Sequence, residues 1–300
     1  MTNNLKSKEL RLTILMILAM ITWGLSWTNA KIVGSYGDAP LMMFWRFFFA
    51  TLSFAPIVWL KGHSFKIPWK SLQFIMLNSF FMTSYNYFYF KGTQVGLAGA
   101  GGVLVTTLNP ILTASFSALF FGGYLLRKDI FGLLLGLAGG GLIIRIWEMD
   151  MALLFQSGNF HFIMASLSWV SVTLITSKSK KVISYIPYSF WCFALSTFFS
   201  LTLALNEPIL DVFQYDGIFW LNIMFLGTGA MAFGTSIYFQ ASVELGPKKA
   251  SAYIFTVPLT AIGFATYYLD EPLILTTIIG GFLAILAVYL INKYYTVEPI

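Results

Sequence analysis

Long, continuous apolar segments alternate with short polar segments along the whole chain. A helix needs about 20 apolar residues to cross the hydrocarbon core of a bilayer. The apolar residues do not alternate with polar ones at every second position, which favours helices over a β-barrel. The pattern predicts an all-α integral membrane protein with ten transmembrane helices, at residues 12–34, 40–60, 70–90, 96–121, 130–147, 159–177, 186–205, 217–240, 250–269 and 272–291.

Charged residues are few, and they lie mainly in the polar segments. They make up 10% of the 300 residues, against about 25% in soluble domains. Basic residues concentrate on one side of the predicted bundle, and only Lys31, Arg46, Lys91 and Arg145 lie elsewhere. Because cytoplasmic loops are enriched in Lys and Arg, we expect both termini in the cytoplasm and the chain in the cell inner (plasma) membrane. The net charge of +6 then reflects orientation, and no nucleic-acid partner is expected.

The two halves of the chain, 1–150 and 151–300, repeat the same landmarks in the same order. Trp23 matches Trp169 at a separation of 146 residues, and FWRF at 44–47 matches FWCF at 190–193. Pro110 matches Pro258, and Gly132 matches Gly280, both at a separation of 148 residues. Five predicted spans per half is an odd number, so the halves would insert in opposite orientations. Inverted repeats of this kind are typical of secondary transporters, whose substrate site lies near the midplane.

The chain resembles the drug/metabolite transporter superfamily, in particular its EamA-type branch. The resemblance is carried by TWGLSW at 22–27, FWRF at 44–47, the proline-bearing fourth and ninth spans, and LDEPLILTTIIGG at 269–281. It implies two inverted five-helix repeats around a central cavity that moves metabolites by alternating access. Family members usually carry an acidic turn followed by a glycine nine residues later. Glu271 and Gly280 fit this pattern, whereas Gly123 replaces the acidic residue in the first half.

Arg46 is a charged residue inside the second predicted span. Pro40 lies six residues before it, so Arg46 sits about 9 Å down the helix at 1.5 Å per residue. A charge inside a membrane is expensive and usually functional, so Arg46 is a candidate for binding a substrate carboxylate. The alternative is that it reaches the outer headgroups or pairs with an acidic loop residue such as Glu271.

One face of the third predicted span carries polar and aromatic residues at helical spacing: Asn78, Met82, Tyr85, Asn86 and Tyr89. Amides and phenols are costly against lipid, so this face should meet a cavity or another helix. Asn78, Tyr85 and Asn86 are therefore candidate substrate-binding residues. Hydrogen bonding between helices is the alternative, and for Tyr89 we favour a place in the interfacial aromatic belt.

Further candidates lie on the first and later spans. Aromatic rings near the midplane can stack on a substrate, and a proline removes a helical hydrogen bond and exposes polar backbone. Helix packing is the alternative for each residue. The candidates are Trp23, Trp27, Asn109, Tyr238, Tyr253 and Thr256, with helix breaks predicted at Pro110 and Pro258.

The spans and the inverted repeat predict a secondary transporter, and the family resemblance implies amino acids or related small metabolites as substrates, with export favoured. No Asp or Glu lies in the middle of a span, so facilitated diffusion or exchange is as compatible with the sequence as proton coupling. The alternatives are a flippase for a lipid-linked carrier and an intramembrane enzyme. We expect no cofactor and no metal site. The expected partners are a small-molecule substrate and the lipid bilayer, and the expected state is a monomer or a weak homo-oligomer.

Overall fold

The computed structural model describes residues 2–121, 126–148, 158–270 and 274–292, and long helices make up most of this part of the chain. The all-α prediction is therefore confirmed. The helices are α1 (Thr2–Val33), α2 (Ala39–Leu60), α3 (Trp69–Val95), α4 (Ala98–Phe121), α5 (Arg127–Ile144), α6 (Asn159–Ser179), α7 (Tyr185–Leu203), α8 (Gly217–Glu244), α9 (Pro247–Leu269) and α10 (Leu275–Asn292).

Seven of the described helices are long and apolar enough to cross a membrane: α1 over Glu9–Val33, then α2, α4, α6, α7, α8 and α9. The other three differ from them in length or polarity. Helix α3 carries the polar face noted above, α5 begins with three charged residues, and the apolar part of α10 runs over Ile278–Ile291. Helices α1 and α8 extend past the predicted spans because a helix continues into the headgroup region after its apolar residues end.

The helices pack mainly against partners from the other half of the chain. Helix α2 packs on α7, α3 on α6, α5 on α10, and α1 on both α8 and α9. On the α2–α7 contact, the hydroxyls of Thr51 and Thr197 lie 3.1 Å apart. One large cluster of buried apolar residues joins both halves. Large apolar side chains such as Leu77, Phe80 and Leu221 point outward, as expected of a surface that faces lipid.

Several helix contacts depend on glycine, because there the neighbouring helix occupies the space of a side chain. Gly24 of α1 packs on α9, where an added Cβ would lie 2.9 Å from the backbone nitrogen of Ala261 and against the Thr260 side chain. Gly92 and Gly101 both pack on the ring of Phe162. Small residues at such contacts let helix backbones approach closely, which is how membrane helices associate without a strong hydrophobic driving force between them.

At the end of the bundle where α1 meets α2, Asp216 caps α8. The Phe219 N–H (3.0 Å) and the Tyr36 hydroxyl (2.8 Å) donate to its carboxylate. These two hydrogen bonds hold the pKa of Asp216 below its ordinary value. The same contact raises the pKa of Tyr36. The contact links the loop between α1 and α2 to the start of α8, and so joins the two halves of the chain at this surface.

We expect Gly24→Ala to lower the free energy of unfolding by about 1–3 kcal/mol, because the added methyl group overpacks the α1–α9 contact. Gly263→Ala is the matched control on α9, since a Cβ there would meet nothing within 4 Å. The midpoint of thermal unfolding in detergent can be followed with a thiol-reactive dye, because Cys192 is the single cysteine and is buried. Equal midpoints for both variants would contradict the close α1–α9 approach.

The Asp216 contact predicts a component of acid sensitivity. Its folded-state pKa is depressed, so the ionised carboxylate stabilises the fold above its unfolded-state pKa of about 3.9. That contribution is lost as the pH falls through the lower, folded-state pKa. We expect Asp216→Asn to make the unfolding midpoint less sensitive to acidification below about pH 4. Asp211→Asn, in the same loop, is the control, and an equal change in both variants would contradict the assignment.

Candidate functional site

A small cavity lies in the middle of the bundle, where helices from both halves meet. It encloses about 20 Å³, which is space for about one water molecule. Trp23, which lines it, is ten residues before the end of α1 at Val33, so it lies about 15 Å from that end, near the middle of a hydrocarbon core about 30 Å thick. The cavity is lined by Trp23, Ser26, Trp27, Arg46, Tyr85, Val105, Thr106, Asn109, Trp169, Met231, Thr235 and Ile254.

Arg46 brings a positive charge to this cavity. Its side chain is buried, with 3% exposed, and its guanidinium carbon lies 4.8 Å from the ring centroid of Tyr89 and 5.7 Å from that of Phe90. Its Nε and Nη1 atoms have no hydrogen-bond partner among the described residues, and no described carboxylate forms an ion pair with it. Glu271, the alternative partner suggested by the sequence, lies outside the described residues. These two nitrogens can therefore still donate hydrogen bonds to an anion. Binding one would remove the cost of burying donors without partners.

Aromatic rings form a layer on either side of the cavity. Toward the α1 C-terminus, the ring of Trp27 packs on Tyr89 (4.6 Å between centroids) and on Phe162 (5.9 Å). Toward the other end, Trp23 packs on Trp169 (5.0 Å). Tyr238 contacts both of those tryptophans, at 5.1 and 5.6 Å. Aromatic side chains therefore pack around the cavity in the direction of both ends of the bundle.

The two predicted proline breaks take different forms. Pro258 follows a 3₁₀ turn, Tyr253–Thr256, in which the Val257 N–H donates to the carbonyl of Ile254. Helix α4 instead continues as an α-helix through Pro110. A proline cannot donate to the carbonyl four residues earlier. For Pro258 and Pro110, these carbonyls belong to Ile254 and Thr106 respectively, and both residues line the cavity.

Helix α8 widens into a π-helix over Leu226–Thr235, beside the cavity. Gly227 packs against the backbone of Arg46, and Gly234 packs against the side chain of Trp23. The Ala230 carbonyl within this segment accepts a hydrogen bond of 3.0 Å from the Trp23 indole. π-helical turns are rare and occur frequently at functional sites. Here the π-helix holds the two residues that bring charge and aromatic surface to the cavity.

The structure brings Trp23, Trp27, Arg46, Tyr85 and Asn109 together at the cavity. Tyr238 packs against the lining residues Trp23 and Trp169. Oδ1 of Asn109 is buried without a described partner. The spacing of these six residues along the sequence does not predict this convergence, because they lie on five different helices.

The other candidates do not line the cavity. Asn78 donates hydrogen bonds to Thr176 and Tyr188, and Asn86 donates to the Met82 carbonyl. Tyr253 meets Thr13 at 3.2 Å, and the Thr256 hydroxyl donates to the Tyr253 carbonyl. These contacts between and within helices fit the packing alternative for those residues. Tyr89 is also buried in the bundle, where its hydroxyl donates to the carbonyl of Ser26.

Sequence reasoning did not select several of the lining residues. The sequence identifies Trp169 only as the repeat counterpart of Trp23, and that pairing is the signal that points to it. Ser26, Thr106 and Thr235 carried no signal, because single hydroxyl residues are common in apolar helices. Met231 likewise resembles ordinary core.

A metal site would require several His, Cys, Asp or Glu side chains to converge on one point in the described part of the chain. Within that part of the chain, no group of three or more His, Cys, Asp and Glu side chains is arranged to hold a metal ion. The buried Asp129 is used structurally, since it caps α5 at Leu126 and pairs with Lys248 at 2.7 Å.

Arg46→Met tests whether the guanidinium is kept for binding or for architecture. Removing buried donors without partners is expected to raise the free energy of unfolding by about 1–3 kcal/mol. Lys31→Met is the contrasting variant, because Lys31 donates at 2.8 Å to the Gly96 carbonyl. It should lower the unfolding midpoint. A comparable fall for Arg46→Met would assign Arg46 to the architecture of the bundle.

Two stretches of the chain, residues 10–145 and 156–293, match the model of the EamA-like transporter family. The chain is also similar to two proteins named as uncharacterized transporters. One, from Archaeoglobus fulgidus, is 25% identical over 92% of this chain and 96% of its own length. The other, YvbV from Bacillus subtilis, is 26% identical over 94% of this chain and 92% of its own length. The family resemblance drawn from the sequence motifs is thereby confirmed.

A solved crystal structure has the same fold. It aligns with 94% of this chain and 98% of its own, with a TM-score of 0.75 and 17% sequence identity. At this identity the likeness concerns the fold and not the substrate. The apolar helices and the transporter relatives together establish a multi-pass membrane protein.

Proposed function

The chain belongs to the EamA-like transporter family, and on this premise we propose that it is a secondary transporter of amino acids or related small metabolites. Transport occurs by alternating access across the cell inner membrane, with export favoured. The observation that carries the proposal is the buried guanidinium of Arg46, which has two nitrogens without described partners and borders a central aromatic cavity.

The architecture that we propose has ten transmembrane helices in two inverted five-helix repeats, residues 1–150 and 151–300. It is supported by the two separate family matches and by contacts between positions related by the repeat. The rings of Trp23 and Trp169 touch at the cavity, and the hydroxyls of Thr51 and Thr197 meet on the α2–α7 contact, both at a separation of 146 residues. Equivalent residues of two repeats can touch only where an axis that relates the repeats passes between them.

The substrate chemistry follows from the cavity lining. A guanidinium donates charge-assisted hydrogen bonds to a carboxylate. Nε and Nη1 of Arg46, which lie on different edges of the guanidinium, have no described partner and are available to donate. The described lining has no acidic side chain to pair with a substrate ammonium. The aromatic faces of Trp23, Trp169 and Tyr85 would instead receive an ammonium or an apolar side chain. This division favours amino acids and related carboxylates with apolar bodies.

The cavity of about 20 Å³ is too small for an amino acid, so the structure corresponds to a closed state in the proposed cycle. Polar contacts join the two halves at both ends. Asn29 donates to Asn222 at 2.5 Å near one surface, and Lys248 pairs with Asp129 at 2.7 Å near the other. During alternating access, the contacts at one end of the bundle would break while those at the other end remain in place. Both termini are proposed to be cytoplasmic, and the chain to act without a cofactor as a monomer or a weak homo-oligomer.

Counterflow into proteoliposomes preloaded with a panel of amino acids, amines, nucleosides and sugars tests the function. We expect labelled amino acids or related carboxylates to accumulate and unlabelled competitor to block this. Arg46→Gln should reduce their transport by about 30-fold or more, because leaving one partner of a buried charge pair alone costs about 2 kcal/mol or more. Lys91→Gln is the matched control, because Lys91 pairs with the exposed Asp38 away from the cavity. Glu271→Gln tests whether Arg46 pairs with Glu271 within the protein instead of binding the substrate.

Two outcomes would contradict the assignment. Unchanged carboxylate transport by Arg46→Gln would remove the guanidinium from the substrate site. Equal losses in Arg46→Gln and Glu271→Gln would indicate that the two residues act as an internal pair.

Flipping of a lipid-linked carrier is the second candidate. An apolar groove of about 500 Å³ lies between α4 and α5, lined by residues that include Leu104, Leu108 and Leu137. Helix α4 alone separates this groove from the cavity, since its Thr107 lines the groove and its Thr106 lines the cavity. Accumulation of no solute, together with movement of a fluorescent lipid between leaflets, would favour this function over metabolite transport.

A further inference from the structure

A third and larger recess lies outside the proposed transport path. It is a groove of about 900 Å³ between the start of α3 and the end of α6. These helices come from different halves of the chain and pack along their lengths. Three lysines line the groove, namely Lys70 at the first turn of α3, Lys178 at the last turn of α6, and Lys181 in the following turn.

The groove changes character along the helix axis. Lys70 and the exposed ring of Trp69 lie at its mouth, and the apolar side chains of Met76 and Leu77 lie farther along α3. Leu77 follows Lys70 by seven residues, so the apolar part reaches about 10 Å deeper than the basic part. Tryptophan and lysine prefer the headgroup level of a membrane, whereas exposed leucine and methionine prefer its interior. The groove therefore presents cations at the membrane surface and an apolar track below them.

This order of chemistry matches one ligand class. A phospholipid carries its charge at the surface and its acyl chains below, and an anionic headgroup complements the lysines. A soluble phosphate would leave the apolar track empty, and a zwitterionic lipid would bring no net charge to the lysines. Neither Lys70 nor Lys181 forms an ion pair with a carboxylate in the part of the chain that the structure describes.

We propose that the groove between α3 and α6 binds an anionic phospholipid, with its headgroup at Lys70 and Lys181 and an acyl chain along Met76 and Leu77. Under the orientation proposed above, this lipid belongs to the cytoplasmic leaflet. Because the groove is formed by one helix from each half, the bound lipid would bridge the two halves at the surface opposite to the Asp216 contact.

Native mass spectrometry of the purified full chain in detergent, titrated with phosphatidylglycerol or phosphatidylcholine, tests the site. We expect one tightly bound phosphatidylglycerol and weaker binding of phosphatidylcholine. Replacing Lys70 and Lys181 together with Gln should weaken phosphatidylglycerol binding about fivefold for each lysine removed. The control replaces Lys61 and Lys66 with Gln, which removes the same charge from the α2–α3 loop without altering the groove.

Three results would overturn the proposal. Equal weakening in the control would assign binding to the general surface charge, and equal affinity for the two lipids would remove the role of the lysines. Glycerol phosphate, which has no acyl chain, is titrated in the same way to test a soluble ligand. Its tight binding at the same lysines would identify a soluble anion as the ligand. Leu77→Glu provides a test independent of the lysines, because a carboxylate in the apolar track should also weaken phosphatidylglycerol binding. The thermal unfolding midpoint of each variant without added lipid establishes that it is folded.

Discussion

The interior of a bilayer offers no hydrogen-bond partners, and the rest of the structure depends on this constraint. The helices satisfy their own backbones, and their hydroxyl side chains do the same locally. The hydroxyls of Ser53, Ser189 and Ser200, for example, each donate to the carbonyl four residues earlier in their own helix. Outward-facing positions are apolar, and polar groups without a local partner are turned inward. The polar interior is therefore a consequence of the solvent as well as a requirement of function.

Buried polar atoms without described partners occur in several parts of the bundle, and some of them belong to residues that line the central cavity. Arg46 and Asn109 both have buried polar atoms without described partners there. The nearby helices are also irregular, with a π-helix at Leu226–Thr235 and a 3₁₀ turn at Tyr253–Thr256. Buried polar groups without partners reduce stability, and they occur elsewhere in the bundle too, for example at Asn78 and Asn86. The proposed substrate site is therefore supported by their combination with a buried guanidinium and irregular helices, not by unpartnered groups alone.

The two proposed sites use positive charge in different surroundings. Arg46 is buried among aromatic rings, where weak screening strengthens its attraction for an anion. The lysines of the α3–α6 groove lie at the membrane surface, where the field is weaker and an apolar track must supply part of the affinity. The first arrangement suits a small solute that has left water entirely. The second suits a lipid that remains in its leaflet.

The sequence alone determined the all-α membrane class, the approximate helix positions and the family, because apolar length and motif order are local properties of the chain. It also selected Arg46, since a charge within an apolar span needs no structure to be noticed. Periodicity placed Asn78, Tyr85 and Asn86 on one face of α3, but only the tertiary structure assigned Asn78 and Asn86 to packing contacts and Tyr85 to the cavity. Periodicity identifies which residues face inward, whereas the helix opposite decides whether they meet a hydrogen-bond partner or a cavity. Trp169 was likewise placed at the cavity only by the tertiary structure, because its position there depends on how the two halves pack together.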